Sequence, residues 1–369
     1  MGLTSYDDAA TNAARKTQGK VLIDKLDIKH IDVRFVNPEK LKHVTNVKKA
    51  NGNRVTIIKD DVVDRLTIGS ANMDESRHID LLQTSVLGKE YGNLICDNVD
   101  DLWKRLNTIK EHLLSKYGIS ISYDDAVVHR MEINKTIHLQ YGKFADYYRV
   151  LILLFSLIPE QEHVQNFLFG GACDYRNSKY SCYELQSLYR FNTDHTYSVI
   201  LYNKTEELKK SGIYIKDDFL RFEIKLAKYK LGKFKNLSYI TDEHITEFYR
   251  DWINENFIKA YDSWKESRLQ DMSDLFQKNY QENPEDYLSK SMASIANEPL
   301  NIPYILDFKD IQDALTRARI YDTSDCGRKR LQRARDYVRK ICEKNGYSKY
   351  SNYDNVKVKE IISKLYDIF

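Results

Sequence analysis

The apolar residues of this chain change period once, and that change decides what it can fold into. Up to about Lys235 they mostly alternate with polar residues; beyond it they recur every three or four positions. Alternation places successive side chains on opposite faces of a strand, whereas the longer spacing lines one face of a helix. Strands are expected at 21–36, 54–68, 78–82, 126–133, 182–191, 197–202 and 219–226. Two helices interrupt them. One spans 97–117, with apolar Leu102, Leu106, Ile109 and Leu113 and a stop at Gly118, and the other spans 144–158. After residue 235 every periodic segment is helical: 241–252, 253–269, 284–296, 307–320, 326–344 and 356–369. The fold class is therefore α+β, a ferredoxin-like antiparallel sheet with helices on one face, followed by an all-helical C-terminal region. Residues 1–20 are read as a tail, 21–235 as the α+β domain and 236–369 as the helical region, a candidate for DNA binding.

Composition narrows the function. Hydrophobic residues make up 42% of the 369 and charged residues 30%, values of a globular protein that packs a core. Five cysteines, scattered and without a CxxC pair, argue against a zinc ribbon or a disulfide framework. The first twenty residues lack the apolar core of a signal peptide, and the longest apolar stretch, 150–159, is too short to cross a bilayer. A cytoplasmic protein that does not engage a membrane is expected. The net charge of +3 is small, but 317–344 holds ten Lys or Arg against four Asp or Glu. Within it Arg328, Arg335 and Arg339 fall near one helical face, where they could contact phosphate or form an ordinary basic surface. The 27 tyrosines accompany abundant Lys, Asn and Ile, as AT-rich codon usage would produce.

Four segments place ionisable side chains two apart on one strand face: His78-Ile-Asp80, Arg130-Met-Glu132, Tyr202-Asn-Lys204 and Arg221-Phe-Glu223. Singly, each is explained by cross-strand ion pairing. Together they supply carboxylates, an imidazole, a lysine and a tyrosine. Such a set can act as a nuclease, with a divalent ion polarising a phosphodiester and a tyrosine oxygen attacking phosphorus.

The run Leu201-Tyr-Asn-Lys-Thr-Glu-Glu-Leu208, followed by Leu220-Arg-Phe-Glu-Ile224, resembles the phage and plasmid rolling-circle replication-initiator family, to which the gene II protein of filamentous phages belongs. Val128-His-Arg-Met-Glu-Ile133 and the run from His78 to Ser85, with Gly92-Asn93, are similar to that family's upstream strands in order and spacing. The resemblance covers about 75–265. It implies a DNA strand-nicking and rejoining endonuclease of the HUH superfamily, working at an origin through a 5′-phosphotyrosine. Tyr202 would be the nucleophile with Lys204 beside it. His78, Asp80, Glu132 and Glu223 would hold Mg²⁺ or Mn²⁺, and Arg130 and Arg221 would contact DNA. Single-stranded or locally melted origin DNA, a host helicase and a host polymerase would be the partners, in the cytoplasm of a bacterial host. The chain departs from the superfamily in having no His-hydrophobic-His, and Glu132 stands where the family has aspartate. A non-catalytic DNA-binding initiator or repressor is the alternative. A conjugative relaxase would need a three-histidine cluster, which this sequence lacks. Tyr189 and Tyr197, near Tyr202 on the same expected hairpin, are its competitors.

Overall fold

The computed structural model describes residues 6–48, 54–69, 81–85, 100–158, 163–168, 171–173, 185–192, 194, 196–296, 308–344 and 354–367. In chain order the elements are α1 (Asp8–Thr17), β1 (Val21–Lys29), β2 (Asp32–Phe35), β3 (Thr45–Lys48), β4 (Arg54–Ile58), β5 (Arg65–Gly69) and β6 (Leu81–Ser85). Then come α2 (Asp100–His112), β7 (Ile119–Ser122), β8 (Val127–His138), α3 (Tyr148–Leu157), β9 (His163–Leu168), β10 (Gly171–Cys173), β11 (Leu185–Phe191) and β12 (Tyr197–Asn203). They are followed by α4 (Lys204–Lys210), β13 (Phe219–Ala227), α5 (Asp242–Ile253), α6 (Lys259–Glu282), α7 (Tyr287–Ala296), α8 (Phe308–Arg317), α9 (Asp325–Lys344) and α10 (Asp354–Tyr366).

The chain divides into two compact units. One holds 1–140, 160–251 and 367–369; the other holds 141–159 and 252–366. The strand region therefore gives up α3 to the helical unit, and the helical unit starts at 252 where the sequence reading drew the line at 236. The expected tail contains α1, capped by the Asp7 carboxylate, which accepts from the Ala10 amide.

The first unit is built on an antiparallel sheet ordered β10-β9-β11-β12-β13-β8-β1-β6-β5-β4-β3, with β2 and β7 forming a separate ribbon. It is larger than a four-stranded ferredoxin-like sheet. β8 and β13 lie at its middle, and β13 is buried over nearly its whole length. One face is apolar: Leu220, Phe222, Ile224 and Leu226 of β13 lie beside Met131, Ile133 and Ile137 of β8. Tyr249 of α5 packs on this face, its ring centroid 6.1 Å from that of Phe222. At one end of the opposite face, Phe219 is covered by Ala10 and Ala14 of α1 and Leu208 of α4.

Two features tie the periphery down. Gly118 ends the helical segment after α2 at φ 65°, as its place after Tyr117 predicts, and a Cβ there would stand 2.6 Å from the Asn37 carbonyl oxygen. Asp60 accepts from His112 at 2.8 Å, Lys116 at 2.9 Å and the Tyr117 hydroxyl at 2.8 Å, and also from the Val62 and Val63 amides. These bonds, above all that from His112, hold its carboxyl well below the usual range against the opposing effect of burial.

In the second unit, α6 packs against α7 and α8, and α7 against α9. Asn279 of α6 donates to Ser291 of α7 at 2.8 Å, with both side chains buried. Lys265 pairs with the buried Asp310 of α8 at 2.7 Å. Among the described residues no helix is long and apolar enough to cross a membrane.

Lys135 interrupts the apolar face. It is fully buried, its ammonium 5.9 Å from the Tyr249 ring centroid and donating to the Asp367 carbonyl. Burial pushes this amine down to about 7 from its ordinary 10.5. The unfolded chain then binds more protons than the folded one between those values, so stability should rise with pH across that window. Lys135→Met should abolish the rise and stabilise the protein at neutral pH, as denaturant unfolding at a series of pH values would show. Asp60→Ala should cost roughly 1–3 kcal/mol by stranding its donors, measured the same way.

Candidate active site

The face opposite the apolar one carries a row of charge across four strands. Tyr202 of β12 stands opposite Arg221 of β13. Arg221, Glu223 and Lys225 stand opposite Thr136, Asn134 and Glu132 of β8, and Glu132 stands opposite Lys25 of β1. Strand alternation puts all these side chains on one side. A bulge in β1 between Ile23 and Lys25 releases Asp24 from the ladder, and its carboxylate lies 4.0 Å from the Arg221 guanidinium.

At one end of the row the Tyr202 hydroxyl donates to Glu223 Oε1 at 2.7 Å. Burial, then the Glu223 charge, pushes the Tyr202 phenol well above its ordinary range, while Arg221 pulls the other way. Burial and the neighbouring Asp24 charge raise the Glu223 carboxyl. Lys204 opens α4, capped by the Asn203 side chain, which accepts from the Glu206 amide at 3.1 Å. Its ammonium is buried, donates to Glu207 and lies 5.9 Å from the Tyr202 ring centroid. Burial lowers its pKa, with the Arg221 charge acting in the same direction.

At the other end Glu132 is completely buried yet ionised more readily than usual. Burial opposes its charge, but Lys225 at 3.2 Å, Lys25 at 3.7 Å and Arg130 overcome that opposition. Lys225 also lies 3.9 Å from Glu223, so one ammonium bridges the two glutamates. Asp24 Oδ1, Glu132 Oε2 and both amide atoms of Asn134 are buried without a hydrogen-bond partner. Asp24, Asp27, Glu132 and Glu223 face Lys25, Arg130, Arg221 and Lys225, four acids against four cations. Burial moves Asp24, Asp27 and Glu223 toward their neutral forms.

The expected residues fall as follows. Tyr202, Lys204, Glu132, Glu223, Arg130 and Arg221 come together on this unit. His78 and Asp80 lie outside the described residues. Tyr197 pairs opposite Leu226 and so faces the other side from Tyr202; Tyr189, opposite Ile200, shares the Tyr202 face and stacks on Phe191 at 5.0 Å. Arg221 is an interior cation whose Nε donates to Thr136 at 2.9 Å; its contacts here are to protein groups. Arg328 of α9 is exposed and paired with Asp325; Arg335 and Arg339 lie on the same helix, and their side chains are outside the described set. Among the described residues no three His, Cys, Asp or Glu are grouped to hold a metal. Glu132 and Glu223 do not fit as a bridging ligand pair while Lys225 stands between them.

Asp24, Lys25, Asn134, Thr136 and Lys225 were not singled out from the sequence. Lys225 was within reach, since Arg221-x-Glu223-x-Lys225 continues the same alternation by one more pleat.

No family model and no curated protein matches the chain. Among solved structures it is similar to a rolling circle replication initiator protein from Geobacillus stearothermophilus, at 11% identity and a TM-score of 0.36, over 64% of this chain and 85% of that one. A likeness at that level assigns no role to this protein.

The ion pairing yields a stability prediction. Arg221→Met should leave Asp24 without its buried counter-charge and cost about 3–5 kcal/mol. The double variant Asp24→Asn/Arg221→Met should recover part of that loss; additive costs in the double-mutant cycle would mean that the two groups are not coupled.

Proposed function

We propose that this protein nicks and rejoins one DNA strand through a covalent tyrosine intermediate, as a rolling-circle replication initiator. The observation that carries the proposal is the 2.7 Å hydrogen bond from the Tyr202 hydroxyl to Glu223, a carboxyl whose pKa is raised toward that of a working base. The Tyr202 oxygen attacks phosphorus and its proton passes to Glu223. The bond from phosphorus to the 3′ oxygen breaks, and Lys204 protonates that oxygen, giving a free 3′ hydroxyl. The 5′ phosphate stays on Tyr202. In the reverse step a 3′ hydroxyl attacks the phosphotyrosine, its proton returns to Lys204, and Glu223 reprotonates the phenol. Strand-transfer energy is conserved in the ester, so no other cofactor is consumed. Mg²⁺ or Mn²⁺ dependence is proposed separately on the family resemblance; no step above runs through an ion, and a chelator titration measures it. Origin DNA, a helicase and a polymerase as partners are part of the same proposal.

The bridging of Glu132 and Glu223 by Lys225 favours a second reading, a DNA-binding initiator without chemistry, in which the charged row only holds the sheet together. A labelled single-stranded oligonucleotide incubated with protein and Mn²⁺, then run on a denaturing gel, separates the two. Covalent label on the wild type that disappears in Tyr202→Phe supports the transfer reaction. Label that persists in Tyr202→Phe moves the nucleophile, and no label on DNA shown to bind favours the second reading.

The base form of Glu223 exists only above its own pKa, which lies above the ordinary 4.5. The adduct rate should therefore climb with pH through that raised value and fall again at higher pH, where Lys204, lowered by burial, loses the proton it must donate. Glu223→Gln should lower the rate by roughly 10²–10⁴-fold and remove the climb.

A further inference from the structure

Immediately after β13 the chain makes two 3₁₀ turns, Lys228–Lys235, that meet at Gly232. Its sequence, KYKLGKFK, holds four lysines and no acid. Lys228, Lys230, Lys233 and Lys235 are all exposed, and among the described residues none of them forms a salt bridge. Leu231 and Phe234 point inward and anchor the turn, and an isolated bridge between Asn236 and Val127 fixes it against β8. The lysines are therefore displayed on a rigid base.

Aromatic rings are interleaved with these cations. Tyr229 is 66% exposed, the most exposed large aromatic in the described chain. Its hydroxyl donates to Asp194 at 3.0 Å, which sets the ring's direction. Asp194 is already engaged by the Thr196 hydroxyl and amide. The Lys230 ammonium lies 5.7 Å from the Tyr229 ring centroid and 5.9 Å from that of Tyr197. Beyond the turn, Tyr239 stacks on His244 at 3.9 Å, and Lys233 lies 5.6 Å from the Tyr239 centroid.

Two backbone positions hold the turn in a form that ordinary residues resist. Lys228 has φ 53° despite its Cβ, and Gly232 has φ 52° with ψ −124°. A Cβ on Gly232 would meet nothing, so its requirement is conformational. Lys228 is drawn out of the β13 ladder by this bend, and its charge is felt by both His129 and Asp194.

We propose that the turn Lys228–Lys235, with Tyr229 at its tip, is a binding strip for single-stranded nucleic acid, the lysines taking successive phosphates and Tyr229 stacking on a base. Alternating cations and rings match the alternating phosphates and bases of a single strand. Duplex DNA presents the same charge but hides its base faces, and an anionic membrane offers no ring to stack on. The proposal rests on the DNA-processing reading for the identity of the strand, and it adds a contact surface outside the Tyr202 site.

Fluorescence anisotropy of the full chain with a labelled oligodeoxythymidylate, at several salt concentrations, tests it. Changing the four lysines to glutamine should make the slope of log affinity against log salt about 3 units shallower. Tyr229→Ala should weaken binding roughly 5- to 100-fold with the slope nearly unchanged. Both sets are exposed, and circular dichroism would verify the fold. Unchanged affinity and slope in the lysine variant would overturn the strip. So would a lysine effect equally large on duplex DNA and on phosphatidylserine vesicles, with none from Tyr229→Ala. The covalent-adduct gel on wild-type protein is independent. An adduct with no lysine effect removes the strip and leaves the transfer reaction, whereas no adduct with the full lysine and tyrosine effects removes the reaction and leaves the strip.

Discussion

The sheet depends on mutual neutralisation of charges buried at its centre. Glu132 is wholly inside the fold, and a lone carboxylate there would be far too costly to keep ionised. It stays charged because Lys25 and Lys225 approach from strands on either side and Arg130 from two residues away on its own strand. Each of those cations sits where it does only if β1, β8 and β13 keep their register. A slip of one residue would carry every member of the row to the apolar face. The buried charges therefore select the strand alignment that brings them together.

The same row divides the tasks of its two glutamates by environment. Glu132, ringed by cations, stays an anion; Glu223, also buried and beside Asp24, is pushed toward its protonated form. Two carboxylates on one face thus acquire opposite proton affinities, the pattern expected of groups with different roles. Arg221 steadies the arrangement from within. It opposes the rise in the Tyr202 phenol while sharing the Asp24 charge.

Much of this was legible in the sequence where one period governed a long stretch. The alternation in FLRFEIKL places Arg221, Glu223 and Lys225 on one face whatever strands lie beside it, and the helices after 235 follow from spacing alone. The local sequence does not specify register. That Tyr202 stands opposite Arg221, and so beside Glu223, follows from pairing partners far apart in the chain, and the assignment of Glu223 as a metal ligand came from resemblance instead. The Asp24 bulge has no sequence mark beyond two adjacent charged residues, Asp24 and Lys25, which break the alternation of the strand. Lys204 was placed on a strand because Tyr-x-Lys alternates. Yet Asn203-Lys-Thr-Glu206 carries a helix cap, with acids in the first turn and Lys209 and Lys210 in the last. Short strands such as β7 and β10 leave too few residues for a period to register.

The order of the strands has a further consequence for how the chain is made. β1 is the first of the described strands in chain order, but Val21 pairs with Lys135, and β8 in turn pairs with β13, which ends at Ala227. At a usual elongation rate of about 5–20 residues per second, β6 follows β1 after roughly 3 to 12 s and pairs with one edge, whereas β8 reaches the other edge only after roughly 6 to 23 s. During that interval the edge of β1 that awaits β8 stays open to neighbouring chains and to chaperones. Its lone charges, Asp24, Lys25 and Asp27, then keep a nascent apolar segment in solution before they take up their places in the finished sheet.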